Sequence, residues 1–510
     1  MSSRDGSADV SRANMGRAAT PSLDHAVAKG LLWTGAIKWL IQLISWPATI
    51  ITAKLLLPAD YGYVALVAVV MRFVQLFTEA GIGAAIVSGL KIDDDKLKGL
   101  NSLSLILGAI GFAGTGILSW PVAKFYNDLA LQPVLMVLGC VLLLEGAALV
   151  PAAQLRKRLD FRRLALCEAA RNVTDISATL LLAYLGSKYW SLIFGSMCGV
   201  VVWVVLVRRA APIGFVYPSR ERLGAVVRFS RHMTGRNLAG FIASGSDTVI
   251  GGATVGKVGL GHYAFGLSIA WAPAEKVTQL ILRVAPAIFG HVHDDREALA
   301  RYFLWITALV AMIVYPMFAG IAIVAPDLIP LMLGKNWNGL IPVILPFCLG
   351  GMAAETVSLA PHLLVATGRI RALAWNAVCS MILMPILFFA LSQRWGVTGL
   401  ASAWAIGASV LALPTLIVAC GEAKISMFSF MRAVIAPLAA TAAMSTCLFI
   451  VRRAYFVEVS PIARTVATIS LGAALYVLFL MVLDGRRVKT LARFANSMRS
   501  GEVRAAGKDL

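Results

Sequence analysis

The sequence predicts an all-α integral membrane protein of about fourteen transmembrane helices, and three observations predict it. Hydrophobic residues fill 59% of the 510 positions and charged residues only 14%. A soluble globular chain carries roughly a quarter charged residues, so the solvent here is a bilayer. Apolar runs of about 20 residues, enough to cross a hydrocarbon core of ~30 Å, recur along the chain. Basic residues gather in alternate connections between those runs, the asymmetry that orients multi-pass proteins.

The runs are 31–55, 62–90, 99–122, 131–153, 164–185, 189–207, 224–250, 259–288, 302–324, 340–365, 372–392, 397–420, 428–450 and 462–483. Their length, with Gly and Pro scattered inside, suits helices; barrel strands are shorter and alternate in polarity. With a cytoplasmic N-terminus, the inside collects Lys91, Lys96 and Lys98, then Arg156 to Arg163, Arg208, Arg209, Arg220, Arg222, Arg296, Arg301, Arg369, Arg371, Lys424 and both basic tails. The outside keeps only Lys124, Lys188, Lys257, Lys335, Arg394, Arg452 and Arg453. The net charge of +20 therefore marks topology and contact with anionic membrane lipids, and no nucleic-acid partner is implied. An even helix count places both termini in the cytoplasm.

Residues 1–29 are polar and basic without the apolar core of a secretory signal, and read as a disordered cytoplasmic arm. The seven cysteines sit in apolar runs without metal-ligand spacing, so neither disulfide, metal nor cofactor is expected. Every connection is short, which leaves function among the helices.

Two stretches repeat. Pro58-Ala59-Asp60-Tyr61-Gly62-Tyr63 opens the second run, and Gly259-Leu260-Gly261-His262-Tyr263 opens the eighth. Gly186-Ser187-Lys188-Tyr189-Trp190 before the sixth run has its like in Trp395-Gly396-Val397-Thr398-Gly399 before the twelfth. The similar offset predicts duplicated six-helix bundles at 30–210 and 211–422, two further transmembrane helices at 423–484 and a basic cytoplasmic tail at 485–510. Chance recurrence of turn residues is the competing reading.

A family resemblance attaches to these residues. Leu55 to Gly62, followed by Phe77-Thr78-Glu79-Ala80-Gly81-Ile82-Gly83, resembles the first-repeat signature of bacterial polysaccharide exporters. These belong to the multidrug/oligosaccharidyl-lipid/polysaccharide (MOP) flippase superfamily. Leu155-Arg156-Lys157-Arg158-Leu159-Asp160-Phe161-Arg162-Arg163 is similar to a cytoplasmic loop of its Wzx-type branch, and Asp247-Thr248-Val249-Ile250-Gly251-Gly252 to that branch's second-half motif, where His262 departs from the commoner residue. The resemblance spans roughly 30–420 and implies the two-bundle fold of multidrug exporters, MATE-like, with no covalent chemistry. It implies passage of a polyprenyl-diphosphate-linked glycan across the inner membrane for O-antigen or exopolysaccharide assembly, alongside a polysaccharide polymerase and other assembly proteins. A multidrug exporter or peptidoglycan-precursor flippase of the same superfamily, and a membrane glycosyltransferase or ligase, are the rival readings.

Ionisable residues inside spans are functional candidates because each costs roughly 2.5–3.5 kcal/mol at mid-bilayer. Bases outnumber acids there, which favours an anionic substrate. Arg72, Gln75 and Glu79 share one helical face, either as a cleft wall with Arg72 on phosphate and Glu79 answering protons, or as a structural network. Arg228, His232 and Arg236 recur every four residues with Asn237 and Asp247 beyond, a polar stripe that needs a wet or protein-lined face. Arg283 repeats the idea in the next run. The substrate-binding candidates are thus Arg72, Gln75, Arg236, Asn237 and Arg283, because a guanidinium fork matches phosphate. The ion-coupling candidates are Glu79, His232 and Asp247, with the choice of proton or sodium open. For Asp247 the structural alternative is a permanent Arg236 or Arg283 partner. Arg171 and Asp175 read as a self-neutralising pair four residues apart. Asp93-Asp94-Asp95 reads as a solvated helix end beside lysines, and His291, His293, Asp294 and Asp295 as a cytoplasmic turn.

Overall fold

The computed structural model describes residues 20–79, 81–87, 93–217, 238, 240–282, 285–292, 294–455 and 459–500. Among them the regular structure is helical. In chain order the helices are α1 Thr20–Leu55, α2 Pro58–Thr78, α3 Ile82–Val87, α4 Asp94–Phe125, α5 Leu131–Lys157, α6 Phe161–Tyr184, α7 Tyr189–Ala210, α8 at 240–254, α9 Gly256–Leu282, α10 Ala285–Val292, α11 Arg296–Leu333, α12 Ile341–Thr356, α13 Ala360–Ala366, α14 Ile370–Glu422, α15 Met427–Tyr455 and α16 Pro461–Ser500. A short 3₁₀ turn, Lys335–Leu340, joins α11 to α12. Among the described residues, nine helical stretches are long and apolar enough to cross a membrane. Their outer faces carry exposed Ile117, Leu413, Phe428 and Val482, the surface expected where hydrocarbon is the solvent.

Local chemistry explains the helix ends. Pro58 opens α2, where a missing N–H is harmless, and the Asp60 carboxylate accepts from the Leu57 N–H at 2.8 Å. Asp160 caps α6 by accepting from the Arg163 N–H at 3.2 Å, and Asp295 caps α11 by accepting from Glu297 and Ala298 at 3.0 Å each. Asp93 and Asp95 pair with Lys96 and Lys98 at 3.0 and 3.4 Å, as the solvated-helix-end reading requires. Gly396, at φ 59, bends α14 into two helices, 370–395 and 397–422, and Gly186, at φ 80, turns α6 into α7.

The chain sorts into two compact units: residues 1–56 with 67–238, and residues 57–66 with 239–510. In the first unit, helices meet through small residues, which is how backbones come close where lipid supplies no hydrophobic drive. Gly146 lets the Ser104 hydroxyl donate to its own carbonyl at 2.8 Å, joining α4 to α5. Ile82, Ala85 and Ile86 of α3 pack with Leu100, Val150, Ala153 and Ile213 in a buried cluster. There Asn101, fully buried, donates to the carbonyls of Ile213 and Gly214 at 3.2 and 3.1 Å, pinning the extended 212–217 segment.

The second unit has an aromatic core, with Tyr263, Phe289, Phe303, Phe318, Trp337, Phe347, Phe388 and Phe430 fully buried. Helices α15 and α16 lean on α11 through Met312, Ala440, Met444, Leu448, Tyr476 and Leu480. The Tyr476 hydroxyl donates to the Met312 carbonyl at 2.7 Å. Nearer the C-terminal end of α11, Asp327 is 7% exposed and meets Arg452 of α15 and Arg464 of α16 at 2.6 Å each. Both appended helices are therefore tied to α11 by packing and by charge.

Candidate functional site

In the first unit, α2 carries Arg72, Gln75 and Glu79 along one face, with Arg72 and Glu79 exposed and Gln75 half-buried. The Glu79 N–H still bonds to the Gln75 carbonyl at 2.9 Å, so the face continues past the helix end. The Gln75 amide donates to Glu145 Oε2 of α5 at 2.9 Å, and Arg171 of α6 reaches Glu145 Oε1 at 3.4 Å. Glu79 stands within electrostatic reach of Glu145 and Arg156. Three helices thus converge on one polar cluster. Arg171 pairs with Glu145 across helices and stays within electrostatic reach of Asp175, which accepts from the Thr179 hydroxyl at 3.3 Å, so the expected Arg171–Asp175 pair is shared with a second acid and is not self-contained.

In the second unit, Asp247 on α8 is 4% exposed. The Tyr263 hydroxyl of α9 donates to its Oδ2 at 2.8 Å, and the Thr248 hydroxyl to its Oδ1 at 2.9 Å, where the Thr248 N–H also donates. The Trp404 indole N–H of α14 then donates to the Tyr263 oxygen at 2.7 Å. Trp271 packs 5.3 Å from Trp404, ring centre to ring centre, and donates to the Phe347 carbonyl at 3.0 Å. The carboxylate therefore lies at the end of a hydrogen-bonded chain across α8, α9 and α14, walled by aromatic rings.

His232, Arg236, Asn237 and Arg283 lie outside the described residues. Glu145 was legible only as one acid inside a span, and its role as a hub appears once α2, α5 and α6 are side by side. Tyr263 and Trp404 are apolar by composition, and a buried hydroxyl or indole N–H needing a partner is the signal that would have flagged them. A second ionic knot joins Glu422 at the end of α14 to Arg369 at 2.7 Å and to Arg296 at 3.5 Å. Among the described residues, no group of three or more His, Cys, Asp or Glu comes together as metal ligands would.

Chemically, the first-unit cluster offers charged hydrogen-bond donors on helices that otherwise face apolar surroundings. Such donors suit a polar, anionic ligand in transit. The second-unit chain offers a buried carboxylate held by hydroxyl groups.

Comparison with known proteins agrees with this architecture. A family model described as polysaccharide biosynthesis protein matches residues 51–342, more than half of the chain. The lipopolysaccharide biosynthesis protein WzxC of Escherichia coli (strain K12) is 21% identical over 353 residues, covering 68% of this chain and 72% of its own. The solved lipid II flippase MurJ, in an inward closed conformation, shares the fold at a TM-score of 0.72 and 12% identity, over 88% of this chain and 98% of its own. An inward-facing multidrug resistance MATE family transporter of the MOP superfamily follows at 0.58 and 16%, over 75% and 94%. With its run of apolar helices and the fold it shares with the solved flippase, this chain is a multi-pass membrane protein, and it belongs to the polysaccharide biosynthesis protein family.

Proposed function

We propose that the chain flips polyprenyl-pyrophosphate-linked oligosaccharide units across the inner membrane, by alternating access through a basic cleft, for lipopolysaccharide O-antigen or exopolysaccharide assembly. Family membership over residues 51–342 carries this reading. The physical task is to move a diphosphate and several sugars past hydrocarbon while the prenyl tail stays in lipid. It needs a wet, basic surface and no covalent step, so the protein is a transporter and not an enzyme. Polar side chains clustered at α2, α5 and α6 support such a surface.

Under this reading about fourteen helices form two six-helix bundles, at 30–210 and 211–422, with two more helices at 423–484. Cytoplasmic segments 1–29 and 485–510 flank them. Arg72, Gln75, Arg236, Asn237 and Arg283 line the cleft, and Glu79, His232 or Asp247 couples movement to an ion gradient. A polysaccharide polymerase then takes the delivered unit.

The test is complementation. A bacterial strain lacking its own O-antigen flippase accumulates lipid-linked units on the cytoplasmic side, and this chain, expressed with matching glycosyltransferases, should restore surface polymer. Continued accumulation despite normal membrane levels of the protein would reject the reading.

A further inference from the structure

The structure distinguishes two kinds of arginine ion pair within its helices. Asp327 holds Arg452 and Arg464 at 2.6 Å each, with the arginine side chains 18% and 26% exposed and the carboxylate 6%. That knot is closed. The Arg171–Glu145 contact is 3.4 Å long, with the two side chains 38% and 27% exposed. A tight ammonium- or guanidinium-to-carboxylate bond is roughly 2.7–2.9 Å, so this pair is loose as well as open.

Its position makes the openness consequential. Glu145 lies at the middle of Leu131–Lys157 and Arg171 at the middle of Phe161–Tyr184. A half-open guanidinium at that depth cannot face hydrocarbon, where each unsatisfied donor costs several kcal/mol, and must face water or a polar ligand. Gly199 of α7 makes room for the stem: a Cβ there would stand 3.5 Å from Arg171 Cγ and 2.9 Å from the Arg171 carbonyl oxygen. The second oxygen of Glu145 is already held by Gln75 at 2.9 Å. The carboxylate is therefore fixed to α2, and its contact with Arg171 is the longer of the two.

We infer that Arg171 is a receptor for the diphosphate of the lipid-linked substrate, and that Glu145 is its internal counter-ion, displaced when the diphosphate arrives. This rests on the transport reading above and adds residues that reading does not name. The counter-ion keeps a bare arginine from standing in the span when the site is empty. It also competes with the ligand, so the bound diphosphate can leave, which transport requires. The guanidinium's planar fork can donate to oxygens on both phosphorus atoms.

The test is equilibrium binding of undecaprenyl diphosphate to the purified full chain in nanodiscs, with undecaprenol as the neutral probe and phosphatidylglycerol as a competing lipid phosphate. The wild type should prefer the diphosphate over both. Arg171→Gln should weaken binding about tenfold or more, the loss of a charge-assisted contact. Glu145→Gln should tighten it severalfold, because that residue's competition and repulsion are gone while Asp175 stays within electrostatic reach of the guanidinium. Arg171→Lys keeps the pair and should keep thermal stability, yet weaken binding about fivefold for want of the fork. If the wild type shows no preference for diphosphate over undecaprenol, the transport reading and this inference fall together. If the wild type binds and Arg171→Gln or Arg171→Lys binds equally well, the inference alone is wrong. Weakening by Glu145→Gln would show a merely structural pair, and equal competition by phosphatidylglycerol a general lipid-phosphate site; either overturns it.

Discussion

A Cβ atom on Gly62 would stand 1.9 Å from the carbonyl oxygen of Lys257, so the start of α2 crosses the start of α9 backbone on backbone. Gly261 completes the crossing, since its Cβ would lie 1.8 Å from the Pro58 carbonyl oxygen. The two stretches that read as repeats of one another are thus in direct contact. Lys257 reinforces them by donating to the Tyr63 hydroxyl at 2.7 Å, and Tyr61 sets its ring edge against Phe265 and Trp337 at 5.0 and 5.3 Å.

Because the obstacle to a larger residue is main chain, no rotamer change relieves it. Gly62→Ala and Gly261→Ala should each destabilise the protein by about 1–3 kcal/mol. Thermal unfolding in detergent checks this against Gly114→Ala, whose Cβ meets nothing within 4 Å. Equal melting temperatures for Gly62→Ala and Gly114→Ala would refute the crossing.

Asp327 neutralises two arginines at the junction of α11, α15 and α16. Removing its charge leaves both guanidinium groups largely buried without it, so Asp327→Asn should cost about 3 kcal/mol or more. Limited proteolysis should then cut sooner between α15 and α16. An unaltered cleavage rate would mean that packing alone, through Tyr476 and its neighbours, holds the two helices.

Asp247 accepts from the Tyr263 hydroxyl on one oxygen and from the Thr248 hydroxyl and N–H on the other. Asp247→Asn keeps one acceptor and turns an NH2 toward the remaining donor, so it should cost about 1–3 kcal/mol of stability. If Asp247 couples transport to an ion gradient, the variant should keep binding substrate but lose gradient dependence in vesicles. Unchanged dependence in a stable variant would remove it from coupling.

Under the proposed topology, Lys157, at the end of α5, is cytoplasmic and Lys335, after α11, periplasmic. Reporter fusions at these two positions should report opposite sides. The same signal from both would break the proposed topology.

Helices were legible because apolar runs and their punctuation are local properties. The break between runs 372–392 and 397–420 falls at Gly396, where φ turns positive. Asp327 was not legible: the run ended at 324, yet α11 continues to Leu333 through Pro326 and Pro330, which membrane helices tolerate. Spacing saw only half of Arg171's surroundings: Asp175 on its own helix is within electrostatic reach, but Glu145, which lies on another, is not visible from an interval of four residues. For Asp247 the depth was readable, whereas its aromatic partners Tyr263 and Trp404 become visible only through tertiary contact.

Flipping itself is read out with the purified protein in proteoliposomes that carry a polyprenyl-diphosphate-linked oligosaccharide labelled for detection in the outer leaflet. Accessibility of the sugar to a membrane-impermeant glycosidase separates the leaflets. A flippase renders the inner-leaflet pool accessible, whereas protein-free vesicles protect it. An inner pool that stays protected in vesicles holding folded protein, with or without an ion gradient of either kind, would contradict that role.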